Sequence, residues 1–211
     1  MYIGLLKIDS SELDLHLLAH ISKHRAKKIQ HYQTPFDKKI SMYSELLLRV
    51  MLRDRGMLNW KEVPVDSKHS GAIFFPHEKS IFVSLSHSEN CILCVLDKHN
   101  QVGADIERVI PGPYADFEEV LGPAEKRIVQ ESESDRLEKF FRIWTAKEAY
   151  LKYTEEGILR ELQQVDTTAS FFKKHIIQWK EADFICSIYA QRIHQPVIKL
   201  YTEQEVRRAY D

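Results

Sequence analysis

The chain has 211 residues, of which 44% are hydrophobic and 29% are charged, and this composition predicts a soluble globular protein with a sizeable core. The formal net charge of −1 gives no bulk positive charge that would favour nucleic acid or an anionic membrane surface as a partner. No apolar run reaches the roughly 18 residues of a membrane span, and the first residues lack the basic region of a secretion signal. We therefore expect a cytoplasmic protein of one domain or two small ones.

The first half of the chain predicts two helices and three strands. The strands cover residues 1–8, 81–85 and 91–96, and the helices cover 23–32 and 36–55. A further strand at 102–109 follows a polar turn, so we expect it to form a hairpin with 91–96. Ser22 is the expected N-cap of the first helix, and Gly56 is the expected end of the second. The first helix is rich in basic residues, which form either a solvated face or a surface that meets phosphates.

The second half predicts a long central helix between shorter elements. We expect short helices at 114–120 and 123–131, the central helix at 137–153, strands at 171–179, 183–190 and 197–201, and a closing helix at 202–210. Each half thus offers helices followed by short strands, so the fold class is α+β and a duplicated arrangement is possible.

The three cysteines predict buried free thiols. Cys91 and Cys94 match a CxxC spacing, but they lie in a continuous apolar run, where residues three apart on a strand point to opposite faces. No second CxxC completes a zinc site. Buried thiols in a reducing cytoplasm are the simplest interpretation.

The central helix carries a carboxylate on its apolar face. In the segment LEKFFRIWTAKEAYLKY, Glu148 lies seven residues after Phe141, and Lys147 and Lys152 are near it. An ionised carboxylate among aromatic side chains is unfavourable without a positive partner. One interpretation is an ordinary Glu148–Lys152 salt bridge one turn apart. The other is a site for a metal ion or for phosphates.

A second acidic pair lies on the strand VGADIE at residues 102–107. Strand alternation puts Ala104 and Ile106 on one face, and Asp105 and Glu107 on the other. Their charges either remain in water or repel each other until a hard divalent cation binds, since Mg²⁺ prefers one or two carboxylates plus substrate phosphates. Glu148 is the candidate third ligand.

These two segments resemble the signature motifs of the 4′-phosphopantetheinyl transferases. VGADIE is similar to (V/I)G(V/I)D but departs from it mildly, with Ala104 where Val or Ile is usual. WTAKEAYLK at 144–152 matches (F/W)(S/C/T)xKE(A/S)xxK throughout. The segment VSLSHS at 83–88 is similar to the family's NLSHS, and residues 22–49 resemble the helical region before it. The chain length resembles that of the monomeric surfactin-synthetase-activating type.

The resemblance implies a fold and a reaction. The fold would be α+β, with two similar subdomains in a pseudo-twofold arrangement, at 1–101 for the coenzyme A nucleotide and 102–211 for the metal and the catalytic site. Coenzyme A would donate its 4′-phosphopantetheine arm to a serine of an apo acyl or peptidyl carrier protein of fatty-acid, polyketide or nonribosomal peptide biosynthesis. Adenosine 3′,5′-bisphosphate would be released, and the partners would include no nucleic acid and no membrane.

The resemblance also assigns roles to residues of this sequence. Mg²⁺, or Mn²⁺, would be held by Asp105, Glu107 and Glu148. Coenzyme A would be contacted by Arg25, Lys28, Ser86, His87, Lys147 and Lys152, with His87, Arg25 and Lys28 at its 3′-phosphate. Catalytic roles would fall to Glu148, Lys152 and Glu125, the last near a position sometimes assigned as the base for the incoming serine.

One departure from the family pattern concerns a lysine. The family usually has Gly-Lys-Pro before the NLSHS strand, whereas this chain has Ser70-Gly71-Ala72-Ile73, so Lys68 or Lys79 is the candidate substitute. Two rival hypotheses remain. One is a non-catalytic relative that only binds carrier proteins, and the other is a different metal-dependent phosphate enzyme, such as a hydrolase.

Overall fold

The computed structural model describes residues 1–9, 12–57, 59–68, 70–111, 119–132, 134–155 and 162–211. The strands are β1 (Tyr2–Lys7), β2 (Asp66–Ser67), β3 (Ile73–Phe74), β4 (Phe82–Ser88), β5 (Cys91–Asp97), β6 (Val102–Arg108), β7 (Ile176–Glu181), β8 (Phe184–Ala190) and β9 (Val197–Thr202). The α-helices are α1 (Lys23–Gln30), α2 (Pro35–Asp54), α3 (Pro123–Gln130), α4 (Arg136–Thr154), α5 (Ser170–Lys173) and α6 (Glu203–Arg208), with 3-10 turns at Leu15–His20 and Leu162–Gln164. The α+β class is confirmed.

The strands form two main sheets, each covered by one long helix. The first sheet has the order β4-β5-β1-β9 and the second has the order β6-β8-β7. Helix α2 packs on the outer face of the first sheet, and α4 packs on the outer face of the second. No helix in the described ranges is long and apolar enough to cross a bilayer.

The inner faces of the two sheets form a shared core. Side chains of β1 and β5 meet those of β6 and β8 there, and Leu93, Ala104, Ile106 and Cys186 are fully buried. Strand β5 lies between this core and α2, so both of its faces are buried. This placement explains its continuous apolar run. Cys91, Cys94 and Cys186 are free and buried, so the prediction for the cysteines is confirmed.

The helix ends follow from local sequence. The side chain of Ser22 caps α1 by accepting from Arg25 N at 3.1 Å, and Thr34 caps α2 in the same way from Asp37 N at 3.0 Å. Pro35 begins α2, and Gly56, with φ of +81°, follows its end. The sequence-based prediction of both helices is confirmed.

Two predicted elements differ from the structure. Residues 170–173 form the helix α5 rather than the start of a strand, because this turn buries Phe172 against Tyr150 and Tyr189 while the following lysines stay in solvent. The predicted hairpin between β5 and β6 does not form. The apolar residues of β6 face β5 across the shared core, and β6 pairs with β8 in the second sheet. The helix predicted at 114–120 lies mostly outside the described residues.

The last strand returns to the first sheet. Strand β9 pairs in parallel with β1, from Tyr2↔Val197 to Lys7↔Thr202. Tyr201, Val206 and Tyr210 join the core beneath α2. The subdomain boundary between residues 101 and 102 stays a prediction, but residues 197–210 pack with the first half of the chain.

Candidate active site

The site begins where the edge strands of the two sheets, β4 and β6, run side by side. Serine side chains at every second position of β4 reach across to β6. The contacts are Ala104 N to Ser84 Oγ at 2.9 Å, Ser86 Oγ to Asp105 Oδ1 at 2.7 Å, Ser88 Oγ to Glu107 Oε2 at 2.7 Å and Arg108 N to Ser88 Oγ at 3.1 Å. Alternation on both strands therefore aligns the acidic side chains of β6 with the hydroxyls of β4.

Helix α4 lies directly against β6 because of a glycine. A Cβ on Gly103 would collide with the backbone of α4 at Ala149 O and Tyr153 N, and it would lie 2.9 Å from Tyr153 Cβ. The absence of a side chain at this position therefore allows the close approach. It brings the turn that carries Glu148 and Lys152 next to Asp105.

The three predicted metal ligands and Lys152 line one cavity of about 460 Å³. Its walls include Ser86, His87, Asp105, Glu107, Trp144, Glu148, Leu151 and Lys152. Lys152 Nζ lies 2.6 Å from Asp105 Oδ1 and donates to Ser86 Oγ at 2.9 Å. Lys152 thus forms its ion pair with Asp105, and the alternative of an ordinary Glu148–Lys152 bridge is not what the structure has.

Two acidic side chains of the cavity, Glu107 and Glu148, have raised pKa values. Burial and the negative charge of Asp105 raise the pKa of Glu107 to about 7, against the opposing hydrogen bond from Ser88. Burial and Asp105 likewise raise the pKa of Glu148 above its ordinary value. Asp105 is itself buried, and its Oδ2 atom has no hydrogen-bond partner. The cavity therefore has an excess of negative charge that favours a cation.

His87, which lines the cavity, lies within reach of the charges of two cations of α1. Burial lowers the pKa of His87, and the positive charges of Lys152, Lys28 and Arg25 lower it further. Arg25 is mostly buried, with 13% of its side chain exposed, whereas Lys28 is exposed. His87 of β4 and Lys152 of α4 thus line the cavity, and the charges of Arg25 and Lys28 reach His87 from α1.

Two predicted site residues lie elsewhere, in a buried pair. Lys147 is fully buried, with Nζ 2.5 Å from Glu125 Oε2, and it donates to the carbonyls of Val120 and Leu162 at 2.8 Å each. Glu125 is 1% exposed and also accepts from Gly122 N and from Thr167. With their polar atoms engaged in this way, the two side chains join α3 to α4 and do not line the cavity.

A larger cavity of about 560 Å³ adjoins the first. Both cavities are lined by Leu85, Glu148, Leu151 and Lys152, and the β2–β3 region forms the outer wall of the larger one. Lys68 and Lys79 both line it, in the neighbourhood of Ala72. Lys68 Nζ is 2.6 Å from Glu155 Oε2, so this lysine connects the outer wall to the end of α4.

Sequence reasoning missed several residues that shape the site. Ser84 and Ser88 hold β6, Gly103 admits α4, and Trp144 forms a side-chain hydrogen bond to Glu107. The alternating serines of VSLSHS were the available signal for the first two. The glycine and the tryptophan stand in quoted motifs, but their contacts depend on how β6 and α4 pack.

The second half of the chain matches a known protein family. Residues 101–206 match the sequence model of a family described as the 4′-phosphopantetheinyl transferase superfamily. The chain belongs to this superfamily. The matched range includes Asp105, Glu107, Glu148 and Lys152, so it covers the β6 and α4 sides of the cavity, while the β4 and α1 sides lie before it.

Individual relatives carry the same superfamily name. The chain is 35% identical over 94 residues to the 4′-phosphopantetheinyl transferase HetI of Nostoc sp., covering 42% of this chain and 38% of that protein. It is 22% identical over 143 residues to the 4′-phosphopantetheinyl transferase of Bacillus subtilis, covering 67% and 63%. It is 26% identical over 153 residues to the 4′-phosphopantetheinyl transferase gsp of Aneurinibacillus migulanus, covering 70% and 63%. The chain therefore spans less than two thirds of the length of these relatives.

Proposed function

We propose that this protein transfers the 4′-phosphopantetheine arm of coenzyme A to a serine hydroxyl of an apo acyl or peptidyl carrier protein. The serine oxygen forms a bond to the phosphorus that carries pantetheine. The bond from that phosphorus to the bridging oxygen of the pyrophosphate breaks, adenosine 3′,5′-bisphosphate leaves, and the serine proton is released. Superfamily membership and the names of the relatives support this reaction class.

One observation carries the proposal: the carboxylates of Asp105, Glu107 and Glu148 and the partly exposed Lys152 line one cavity. Phosphoryl transfer depends mainly on positioning the reactants and on neutralising charge. Lys152 can supply positive charge to a phosphate because 33% of its side chain is exposed to solvent. Ser86 holds that lysine from β4.

The polar groups around the cavity fit a substrate with phosphates at two ends. In our proposal the pyrophosphate lies near Lys152 and the acidic side chains. The 3′-phosphate then meets His87, Arg25 and Lys28. The charges of Arg25 and Lys28 already lower the pKa of His87. We assign no phosphate contact to Lys147 and no proton transfer to Glu125, since both are buried in the pair that joins α3 to α4.

The residues of the cavity fit a magnesium ion. Within the described ranges no cluster of three or more His, Cys, Asp or Glu side chains is already arranged to hold a metal. However, Asp105 has a buried oxygen without a partner, and the pKa values of Glu107 and Glu148 are raised beside it. We propose that these three carboxylates hold Mg²⁺ together with substrate phosphates. When bound, the ion would neutralise charge on the pyrophosphate.

The test measures transfer directly. The protein is incubated with coenzyme A, Mg²⁺ and a panel of apo carrier proteins, and each carrier is weighed by intact mass spectrometry. We expect at least one carrier to gain one phosphopantetheine, and we expect EDTA or Glu148→Ala to abolish the gain. Glu138→Ala is the matched control, because Glu138 lies on the same helix, where it pairs with Arg142 and Lys180 at the surface.

The alternative functions give different results in the same assay. Binding of coenzyme A without transfer to any carrier would favour a carrier-binding protein that has lost turnover. Release of a coenzyme A fragment without a carrier would favour a hydrolase. Failure to bind coenzyme A would refute the proposal. A monomeric state, a cytoplasmic location, the use of Mn²⁺ and the absence of a nucleic-acid partner stay predictions.

A further inference from the structure

A buried carboxylate on α2 joins the cationic helix α1 to the body of the protein. Glu45 is 0% exposed. It accepts hydrogen bonds from Ser22 N at 2.7 Å and Ser22 Oγ at 2.8 Å, and from Arg49 Nε at 3.0 Å and Arg49 Nη2 at 2.7 Å. Its Oε2 also lies 3.7 Å from Arg25 Nε. Glu45, Ser22 and Arg49 do not line the active-site cavity, and only Arg25 links this cluster to the site described above.

The contacts of Glu45 fix both the start of α1 and the side chain of Arg25. Ser22 is the residue whose hydroxyl caps α1, and Glu45 holds its backbone and its hydroxyl together. Arg25, on the first turn of α1, also contacts α2, since its Nη1 donates to Ser41 Oγ at 3.4 Å. Within the described residues, the side-chain contacts of Arg25 are made by Nε and Nη1, and Nη2 has no protein partner. This guanidinium is therefore held at one edge and retains N–H donors for an anion.

Arg49 makes the arrangement rigid from the other side. Its Nη1 donates to the carbonyls of Trp60, Lys61 and Val63, so it is anchored to the segment after α2. The carboxylate of Glu45 lies between two arginines and is oriented by both. Because Arg49 holds it, Glu45 keeps its position if the side chain of Arg25 moves. The position of the Arg25 guanidinium is thus set by Glu45 rather than by the flexibility of its own side chain.

We infer that Glu45 is a positioning residue that holds Arg25 toward the 3′-phosphate of coenzyme A and so sets the preference for coenzyme A over 3′-dephospho-coenzyme A. This inference rests on the proposed function. Arg25 acts on the ligand directly, while Glu45 acts only through Arg25 and through the cap of α1. The preference for the 3′-phosphate is consequently a property of α2 as much as of α1.

The experiment compares two ligands that differ only in the 3′-phosphate. Isothermal titration calorimetry measures the binding of coenzyme A and of 3′-dephospho-coenzyme A to the full chain with Mg²⁺ present. We expect Glu45→Gln to weaken coenzyme A binding roughly tenfold, since a charge-assisted contact loses its alignment, and to leave 3′-dephospho-coenzyme A binding nearly unchanged. Arg25→Gln should reduce the preference at least as much.

A double variant tests whether Glu45 acts through Arg25. If it does, Glu45→Gln in the Arg25→Gln background changes the preference no further. Ser22→Ala is a second probe that leaves the Glu45–Arg49 pair intact, and it should weaken coenzyme A binding selectively even if Glu45→Gln folds poorly. Glu203→Gln is the control, because Glu203 pairs with Lys39 on the same helix α2 but belongs to α6.

The outcomes separate this inference from the proposed function. Equal weakening of both ligands by Glu45→Gln, or an additive effect in the double variant, overturns the positioning role while coenzyme A binding by the unaltered protein still supports the transferase. Equal affinity of the unaltered protein for coenzyme A and 3′-dephospho-coenzyme A overturns the inference as well. A natural protein that binds neither ligand removes the proposed function, and the inference falls with it.

Discussion

Replacing Gly103 by alanine should separate β6 from α4. The added Cβ has no open space, because it meets backbone atoms of α4 at Ala149 and Tyr153 rather than the end of a flexible side chain. Backbone within a packed helix cannot rotate away. The whole of α4 must therefore shift relative to β6, and with it Glu148 and Lys152.

The size of the shift follows from the contacts. Even the longest of the three, 2.9 Å to Tyr153 Cβ, is below the normal carbon separation of about 3.5–4.0 Å, so α4 must move by roughly 1 Å or more. The 2.6 Å contact between Lys152 and Asp105 would then exceed hydrogen-bond range. Overpacking of this kind lowers the free energy of unfolding by about 1–3 kcal/mol. A displacement of about 1 Å at reacting groups lowers turnover roughly 100-fold.

The assay combines thermal unfolding with carrier modification. We expect Gly103→Ala to lower Tm by about 2–12 °C, and to lose transfer at temperatures where the variant remains folded. Gly4→Ala is the matched control in the first sheet, since its Cβ would meet side chains and no backbone, namely the flexible end of Met51 and, at 3.2 Å, the ring of Tyr201. A folded Gly103→Ala protein with normal transfer would refute the idea that this glycine sets the distance between β6 and α4.

Two further predictions concern charged groups. Lys147→Met should lower the free energy of unfolding by about 3–5 kcal/mol in urea titrations, because Glu125 then stays buried without a counter-charge, while coenzyme A affinity of the folded protein is unchanged. Normal stability with lost affinity would return Lys147 to the phosphate site. For Asp54, burial is outweighed by hydrogen bonds from Lys199, Arg53 and Tyr201, which lower its pKa. Its stabilisation is present above the unfolded pKa of about 3.9 and is lost as pH falls further. The stability difference from Asp54→Asn should therefore shrink below about pH 4, and a constant difference would contradict this.

Local periodicity was sufficient to predict the elements that carry the acidic groups. The alternation in VGADIE puts Asp105 and Glu107 on one face, and the structure has them in one cavity. The helical period of the central segment predicted α4 within one residue at each end. It did not predict the second buried side of α4, where Lys147 meets Glu125, because the partner lies on α3 and no local pattern connects the two.

Contacts between distant segments were beyond the sequence. The pattern of serines in VSLSHS is visible, but only the packing of β4 beside β6 gives it meaning. In the same way, a glutamate within an apolar helix such as α2 gives no hint that it holds Ser22 and Arg49. Predictions failed where the identity of the neighbouring element, rather than the propensity of the segment, decides the contact.

The pairing of β1 with β9 has a consequence for how the chain folds during synthesis. Residues 2–7 are made well before residues 197–202, their neighbour on one side. A parallel pair of such large sequence separation forms slowly, because a long loop must close before the contact is gained. One edge of β1 therefore waits uncovered while the rest is translated. Such an unpaired edge is open to wrong partners, and chaperone protection would matter most in this interval.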